Sequence, residues 1–407
     1  MLNWAKQFNI FCFLDNQQYN IHPHNYECLL AAGVKTFVET GDLQKVDSYL
    51  KSNDQWIFGH VSYDIKDELH FPSGKTNKIG FPKLYFFIPQ VVLLIKNNEL
   101  IIVSDDPDEI YGTVLQQTGV ITGITRSISM QQSLTKEAYL QKIEDLRAHI
   151  LRGDCYEINF CQEFFAEEAG IDPFAVFQKL LDISPNPFSA FYRLDDKFLL
   201  CASPERFLCK KDNRLLSQPI KGTIKRDVTN QWKDERLKTT LQNSKKDRAE
   251  NVMVVDLVRN DLSKICKKET VKVDELFGIY SFPQVHQMIS TISGELKNDI
   301  PFSEILKALF PMGSMTGAPK HRVMQLIDEY EPQSRGIFSG AVGYFSPGGN
   351  FDFNVVIRSV MYNATSGYLS WQVGSGITFY SDAEQEWEEC LLKAEAIKQA
   401  LSVNADK

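Results

Sequence analysis

KEAYLQKIEDLRAHIL (136–151), followed closely by CYEINFCQEFF (155–165), decides the fold class. In the first run Tyr139, Leu140, Ile143, Leu146 and Ile150 recur at helical spacing and form one apolar face. Thr135 is placed to cap this helix, and Gly153 to end it. The second run is extended, and its alternate side chains face opposite ways. Long strands and helices mixed through the chain in this way favour an α+β or mixed α/β body over a helical bundle.

The same grammar extends in both directions. Toward the N-terminus, VVLLI (91–95) and LIIVS (100–104) are expected strands about the turn NNE (97–99). WIFGHVSYDI (56–65) is another expected strand, with its glycine at a bend. Toward the C-terminus, FSAFYRL (188–194) and KFLLCAS (197–203) are strand-like. A polar segment from Asp227 to Asp247 leads into a helical RAENVMVVDLVRNDL (248–262). Ile305 to Leu309 sits in a short helix, and Lys320 to Tyr330 forms another that Pro332 stops. The last helix, 383–401, carries acids first and lysines later, the order that suits its dipole. Residues 1–130 read as a β-rich N-terminal part packed on a core of 131–407.

Composition narrows the function classes. The chain has 407 residues and a net charge of −8, so it lacks a sequence-wide basic footprint for nucleic acid. Lys245-Lys246 reads as solvated surface. No apolar run is long enough to span a bilayer, and the N-terminus lacks the pattern of a secretory signal; a cytoplasmic location is expected. The eight cysteines match no CxxC or finger spacing and read as buried thiols.

Three groupings could carry chemistry. Asp247 and Glu250 stand three apart, as do Glu386 and Glu389, so each pair shares a helix face. Two such pairs facing each other would make an oxygen-rich magnesium site; ordinary helix surface is the plain alternative. GSMTGAPK (313–320) and WQVGSGITF (371–379) are glycine-rich. The first fails the phosphate-loop pattern, yet backbone amides there could still hold an anion; tight turns are the alternative. WQVGSGITF is an apolar strand that its glycines interrupt. The third grouping is of single polar residues in apolar surroundings. Arg358 suits bidentate capture of a carboxylate or an internal ion pair. Lys221, beside Gly222, is a surface amine or a desolvated nucleophile. Glu205 sits at a turn, and His286 is either a ligand donor or a core histidine.

SPERF (203–207), PIKGTIKR (219–226), DRAENVMVVDLVRNDL (247–262), GSMTGAPKHRVMQLIDEYEP (313–332), GAVGYFSPGGNFDFNVVIR (340–358) and GSGITFYSDAEQEWEE (374–389) occur in one order. Together they resemble the chorismate-binding enzymes, the family of anthranilate synthase component I, aminodeoxychorismate synthase component I, isochorismate synthase and salicylate synthase. The resemblance covers 133–400 strongly. It is looser before that, where FGHVSYD (58–64) is the best piece.

The resemblance implies a fold like that of anthranilate synthase component I, with β-sheets forming a sandwich core and helices outside. It implies magnesium carboxylates at Asp247, Glu250, Glu386 and Glu389, with aspartate at 247 where some relatives carry glutamate. Glu205 falls on the family's acid or base beside the C4 hydroxyl of chorismate. Arg358, with the amides of Gly374, Ser375 and Gly376, falls on the clamp for the enolpyruvyl carboxylate. His286 and Thr316 fall around the ring, and Gly222 and Thr223 lie along it. Phe338 stands where anthranilate synthases commonly have tyrosine.

Two positions choose among branches. Relatives that add water at C2 carry a lysine in GDCYEINF (153–160), where this chain has Glu157 in place of the usual glutamine or lysine. Anthranilate-forming relatives usually read PIAGT; this chain reads PIKGT, as the aminodeoxychorismate enzymes do. The implied chemistry is attack by Lys221 at C2, loss of the C4 hydroxyl, then amination at C4. The eight cysteines include no glutaminase nucleophile motif. Ammonia is therefore expected free, or from a glutamine amidotransferase subunit in a heterodimer, with a separate lyase downstream. Anthranilate synthesis is the alternative activity, and a non-catalytic chorismate-binding paralogue is the alternative of another class.

Overall fold

The computed structural model describes residues 1–402 except 20, 24, 70 and 118–127. Its described strands form two antiparallel sheets. In the first, Glu157–Ala166 pairs with Tyr368–Ile377, and the order continues through Ser359–Asn363, Lys197–Ser203, Phe188–Leu194, Ile10–Asp15, Cys28–Ala32, Val91–Lys96 and Glu99–Val103. In the second, Ile220–Lys225, Val285–Glu295, Arg214–Gln218, Arg206–Lys211, Phe351–Asn354, Ala341–Phe345, Ile57–Val61, Leu84–Ile88 and Thr36–Thr40 follow in that order. Strands from the first 130 residues thus pair directly with later ones in both sheets. Ile10–Asp15 lies against Phe188–Leu194, and Ile57–Val61 against Ala341–Phe345.

Period-two alternation explains how one sheet serves two cores. Along Lys197–Ser203, Leu199 and Cys201 join the cluster shared with the second sheet, while Leu200 and Ala202 point the other way. Leu29 and Ala31 alternate with Leu30 and Ala32 in the same fashion. The shared cluster also takes in Val254, Val255, Val258 and Leu262 of helix Lys245–Ile265 and most of helix Phe302–Leu309. The outer face of the first sheet packs on helices Lys136–Leu151, Pro173–Ile183, Lys320–Tyr330 and Ala383–Leu401. The expected α+β sandwich is present, with helices on the sheet faces.

The pivotal helix runs over Lys136–Leu151, as its spacing predicts. Thr135 accepts from the amide of Ala138, and Gly153 follows at φ +84°. Asn97 and Asn98 make the hairpin turn in left-handed conformations (φ 52° and 67°), which asparagine tolerates. Three local expectations need correction. The polar segment 227–247 contains helix Gln231–Gln242, capped by Asn230. The strand at 56–65 ends at Val61 and gives way to a tighter helical turn, Tyr63–Leu69. Gly59 marks close approach rather than a bend, since a Cβ there would stand 1.9 Å from the Tyr85 carbonyl oxygen. No helix among the described residues is long and apolar enough to cross a membrane.

Candidate active site

A bulge places the lysine. Strand Ile220–Lys225 pairs with Val285–Glu295, but the register slips between Ile220↔Ile289 and Thr223↔Gln287, giving the lysine strand one extra residue. Gly222 adopts φ +92° inside that bulge. Such a bulge re-aims a side chain at the sheet's edge, and glycine tolerates its backbone. Asp247, in the first turn of helix Lys245–Ile265, packs on Gly222; a Cβ there would fall 2.9 Å from the Asp247 Cβ.

The Lys221 ammonium donates to Glu157 Oε1 and, among the described residues, has no other carboxylate within ion-pair distance. The lysine side chain is 11% exposed and the glutamate 4%. Burial alone would depress the amine. The Glu157 carboxylate, helped by Glu250 and Glu205, outweighs burial and holds the ammonium above its ordinary range. The pair lies over Gly376, where a Cβ would stand 2.8 Å from both Lys221 Nζ and Glu157 Oε1.

Glu205 is buried at the turn after strand Lys197–Ser203, and its amide donates to Ser203 Oγ. Burial pushes its carboxyl up to about 7, against opposing contributions from the Ser314 hydroxyl, Lys221 and the Ile220 amide. A carboxylic acid near pKa 7 is suited to giving a proton at neutral pH. Ser314, which sequence reasoning passed over, thus belongs beside Glu205.

Glu250 and Glu386 come from helices Lys245–Ile265 and Ala383–Leu401. Lys246 Nζ lies 4.0 Å from an oxygen of each, so the two carboxylates converge on one cation. Lys246 is half-exposed, and its ammonium is part of this constellation rather than plain surface. Glu250 Oε1 is buried with no hydrogen-bond partner, and burial pushes its carboxyl up to about 7. Glu389 pairs with Lys393 at 2.7 Å, which lowers its carboxyl against the opposing effect of burial. Among the described residues no three acids, cysteines or histidines stand at metal-ligand spacing. The donor set nonetheless suits a hard divalent cation, because Glu250 offers an orphaned buried oxygen and every donor is a carboxylate.

Arg358 has a left-handed backbone (φ 51°), and burial lowers its pKa with no acid opposing it. No ion pair among the described residues involves it, which suits capture of an incoming carboxylate. Gly374 and Gly376 do not interrupt their strand. Tyr368–Ile377 pairs continuously with Glu157–Ala166, and a Cβ at Gly374 would meet Cys161 Sγ at 2.4 Å. Ser375 points to the opposite face, 3.4 Å from the Tyr139 hydroxyl.

The remaining expected contacts are spent elsewhere. His286 Nε2 lies 3.0 Å from Asp234 Oδ1, and its Nδ1 lies 2.8 Å from Ser281 Oγ. Both ring nitrogens are engaged, and Arg226 completes the network at Asp234. The Thr316 hydroxyl donates to the Met312 carbonyl at 3.0 Å. Phe338 is buried in the core shared by the sheets, and Thr223 is exposed on the lysine strand. A separate cavity, lined by Asp15, Tyr19, Phe188, Arg206 and Asp352 among others, shares no residue with the Lys221 site.

A family model described as chorismate binding enzyme matches residues 6–399. The aminodeoxychorismate synthase component 1 of Escherichia coli K12 is 39% identical over 286 residues, covering 70% of this chain and 62% of that protein. The protein of the same name from Salmonella typhimurium is 36% identical over 348 residues, covering 84% of this chain and 76% of the relative. The crystal structure of anthranilate synthase component I from Streptococcus pneumoniae matches with a TM-score of 0.79 at 23% identity, covering 93% of each chain. That last likeness speaks for the fold alone.

Proposed function

The chain belongs to the chorismate-binding enzyme family, and on that premise we propose that it is an aminodeoxychorismate synthase component I, which aminates chorismate at C4. The observation that carries this reading is Lys221 on its bulge, buried in a site with the half-neutral acid Glu205. The names of the relatives support the same assignment. Folate precursor synthesis in the cytoplasm is the corresponding setting.

Chorismate is a dianion, and Arg358, a buried cation with no acid partner among the described residues, would clamp one of its carboxylates. The backbone amides of Gly374–Gly376, on strand Tyr368–Ile377, would assist that clamp. Glu250, Glu386 and Glu389, with Asp247 at the helix start, would hold magnesium. When bound, that ion neutralises and orients the other carboxylate of the substrate. The Lys221 amine attacks C2, the ring double bonds shift, and the C4–O bond breaks. Glu205 gives its proton to the departing hydroxyl, which leaves as water. Ammonia then attacks C4 and expels the lysine, so nitrogen lands at C4. Covalent attachment divides one hard displacement into two easier ones. Ammonia is supplied free or by a separate glutamine amidotransferase subunit, and the product passes to a lyase. His286 and Thr316 act in this reading by holding the walls of the site through Asp234 and Met312.

Product identification tests the assignment. The purified chain with chorismate, ammonium and magnesium should form aminodeoxychorismate, converted to 4-aminobenzoate by an added lyase. Fluorescent 2-aminobenzoate would instead assign it to anthranilate synthesis, and absence of any turnover would favour a non-catalytic paralogue.

A further inference from the structure

A nucleophilic amine must first lose a proton, and the surroundings of Lys221 work against that loss. Glu157, Glu250 and Glu205 together hold the lysine as an ammonium, and Glu389 also faces it. Something within the site has to take the proton when the substrate arrives. Only one carboxylate among the described residues touches the amine.

We propose that Glu157 is the catalytic base of the lysine, accepting the Nζ proton directly as chorismate enters and returning it at the end of the cycle. The inference rests on the reading of Lys221 as nucleophile and goes beyond it, because it gives Glu157 a chemical role where relatives usually carry a glutamine. Three features of the site carry it. Glu157 Oε1 accepts directly from Lys221 Nζ. Both side chains are almost wholly shielded from water, at 4% and 11% exposure, so solvent is a poor alternative acceptor. Gly376 leaves nothing beneath the pair that could part it, since any side chain there would strike both groups. Glu250 is the other acid that Glu157 faces, and no cation besides Lys221 lies within ion-pair distance of Glu157 among the described residues.

An N–H bond of Lys221 breaks and an O–H bond forms on Glu157, turning an ion pair into a neutral pair. Exclusion of water by bound substrate favours that change, because burial penalises separated charges. The free amine attacks C2, and the nitrogen becomes a positively charged secondary ammonium while Glu205 protonates the leaving hydroxyl. Attack of ammonia at C4 releases the lysine as a neutral amine. Glu157 returns its proton to that amine, and the new C4 ammonium gives up a proton that restores Glu205. The net change is chorismate plus ammonia to aminodeoxychorismate plus water.

A distinct pH signature follows. In the wild type the reactive pair holds the same number of protons as the resting ion pair, so its fraction does not vary with pH. In Glu157→Gln the amine must lose its proton to solvent, and the reactive fraction rises about tenfold per pH unit below the pKa of the lysine. The experiment uses the full chain with chorismate and magnesium but no ammonium. Intact-mass spectrometry follows the adduct of chorismate minus water on Lys221 between pH 6 and pH 9. Glu157→Gln should form it at least about tenfold more slowly at pH 7, with the deficit against wild type shrinking as pH rises and KM little changed. Glu157→Asp, which keeps a carboxylate, should retain the pH-independent ratio. A Glu157→Gln protein with the wild-type rate and pH profile would overturn the role. So would a deficit constant with pH, which marks a purely structural residue. Lys221→Ala run in parallel separates the two levels: if it still aminates C4 at the wild-type rate, the nucleophile reading itself fails, whatever Glu157→Gln does.

Discussion

At the scale of single residues, Glu205 makes the sharpest statement. Burial lifts its carboxyl from the usual range to about 7. As a proton donor it is competent below that value and spent above it. The kcat/KM for chorismate should therefore fall on the alkaline side with a midpoint near pH 7, a limb read from the free enzyme. Glu205→Gln should lower kcat by about 10²–10⁴-fold and abolish the limb. A variant that keeps the limb would assign it to another group. Stability has the same sign. The carboxyl ionises at lower pH in the unfolded chain, so its contribution to stability is present at acid pH and is lost as pH rises through about 7. Urea midpoints of wild type and variant across that window check this. Much at this scale is legible in the sequence, because the acids and the lysine lie in short ordered motifs. What stays illegible is partner choice. The nitrogens of His286 are taken by Asp234 and Ser281. Asp234 lies on a helix whose sequence is almost wholly polar, so no local pattern announces the contact.

At the scale of elements, the glycines of strand Tyr368–Ile377 do work that periodicity cannot display. WQVGSGITF reads as a broken strand because glycine weakens strands. The strand is unbroken, and its glycines give room to Cys161 and to the Lys221–Glu157 pair. Gly376→Ala would place a methyl 2.8 Å from Lys221 Nζ and Glu157 Oε1, the free ends of flexible side chains. These can swing away, so the fold should survive with little change in thermal midpoint. The reacting amine moves by about an ångström, which lowers kcat by on the order of 10²-fold. Circular dichroism melts beside steady-state kinetics check this, and an active variant would show that the pair need not sit where it does. Helices with an apolar stripe, such as Lys136–Leu151, were plain in the sequence. Helix Gln231–Gln242 was not, because Leu241 is its one fully buried apolar residue and its other buried side chain is Asp234. Strand order was equally hidden. Pairing Phe11 with Arg193 is a contact between distant stretches of chain, with no trace in local pattern.

At the scale of the whole molecule, the two sheets must be held in one relation for Glu157 of the first to meet Lys221 of the second. Arg335 is placed to do this. Its guanidinium is 1% exposed and forks onto both oxygens of Glu331, at 2.8 and 2.6 Å. It also donates to the carbonyls of Met315 and Asn159, at 2.8 and 3.0 Å, and lies over the Tyr63 ring. Glu331 in turn accepts from the Cys161 amide at 2.8 Å. One buried ion pair thus ties the strand that starts at Glu157 to the glycine-rich turn and to the segment entering the second sheet. Such a pair adds little net stability over apolar neighbours, yet breaking it by halves is costly, since one charge is left buried and alone. Arg335→Met should therefore destabilise the protein by about 3–5 kcal/mol. Arg335→Met combined with Glu331→Leu should recover a large part of that loss, because no orphaned carboxylate remains. Activity of the double variant should still fall, as the Asn159 carbonyl, two residues from Glu157, loses the donor that ties its strand to the second sheet. Urea unfolding midpoints and kcat on the same preparations check both halves. Equal stability losses in the single and double variants would mean that packing of the guanidinium, rather than the stranded charge of Glu331, sets its cost.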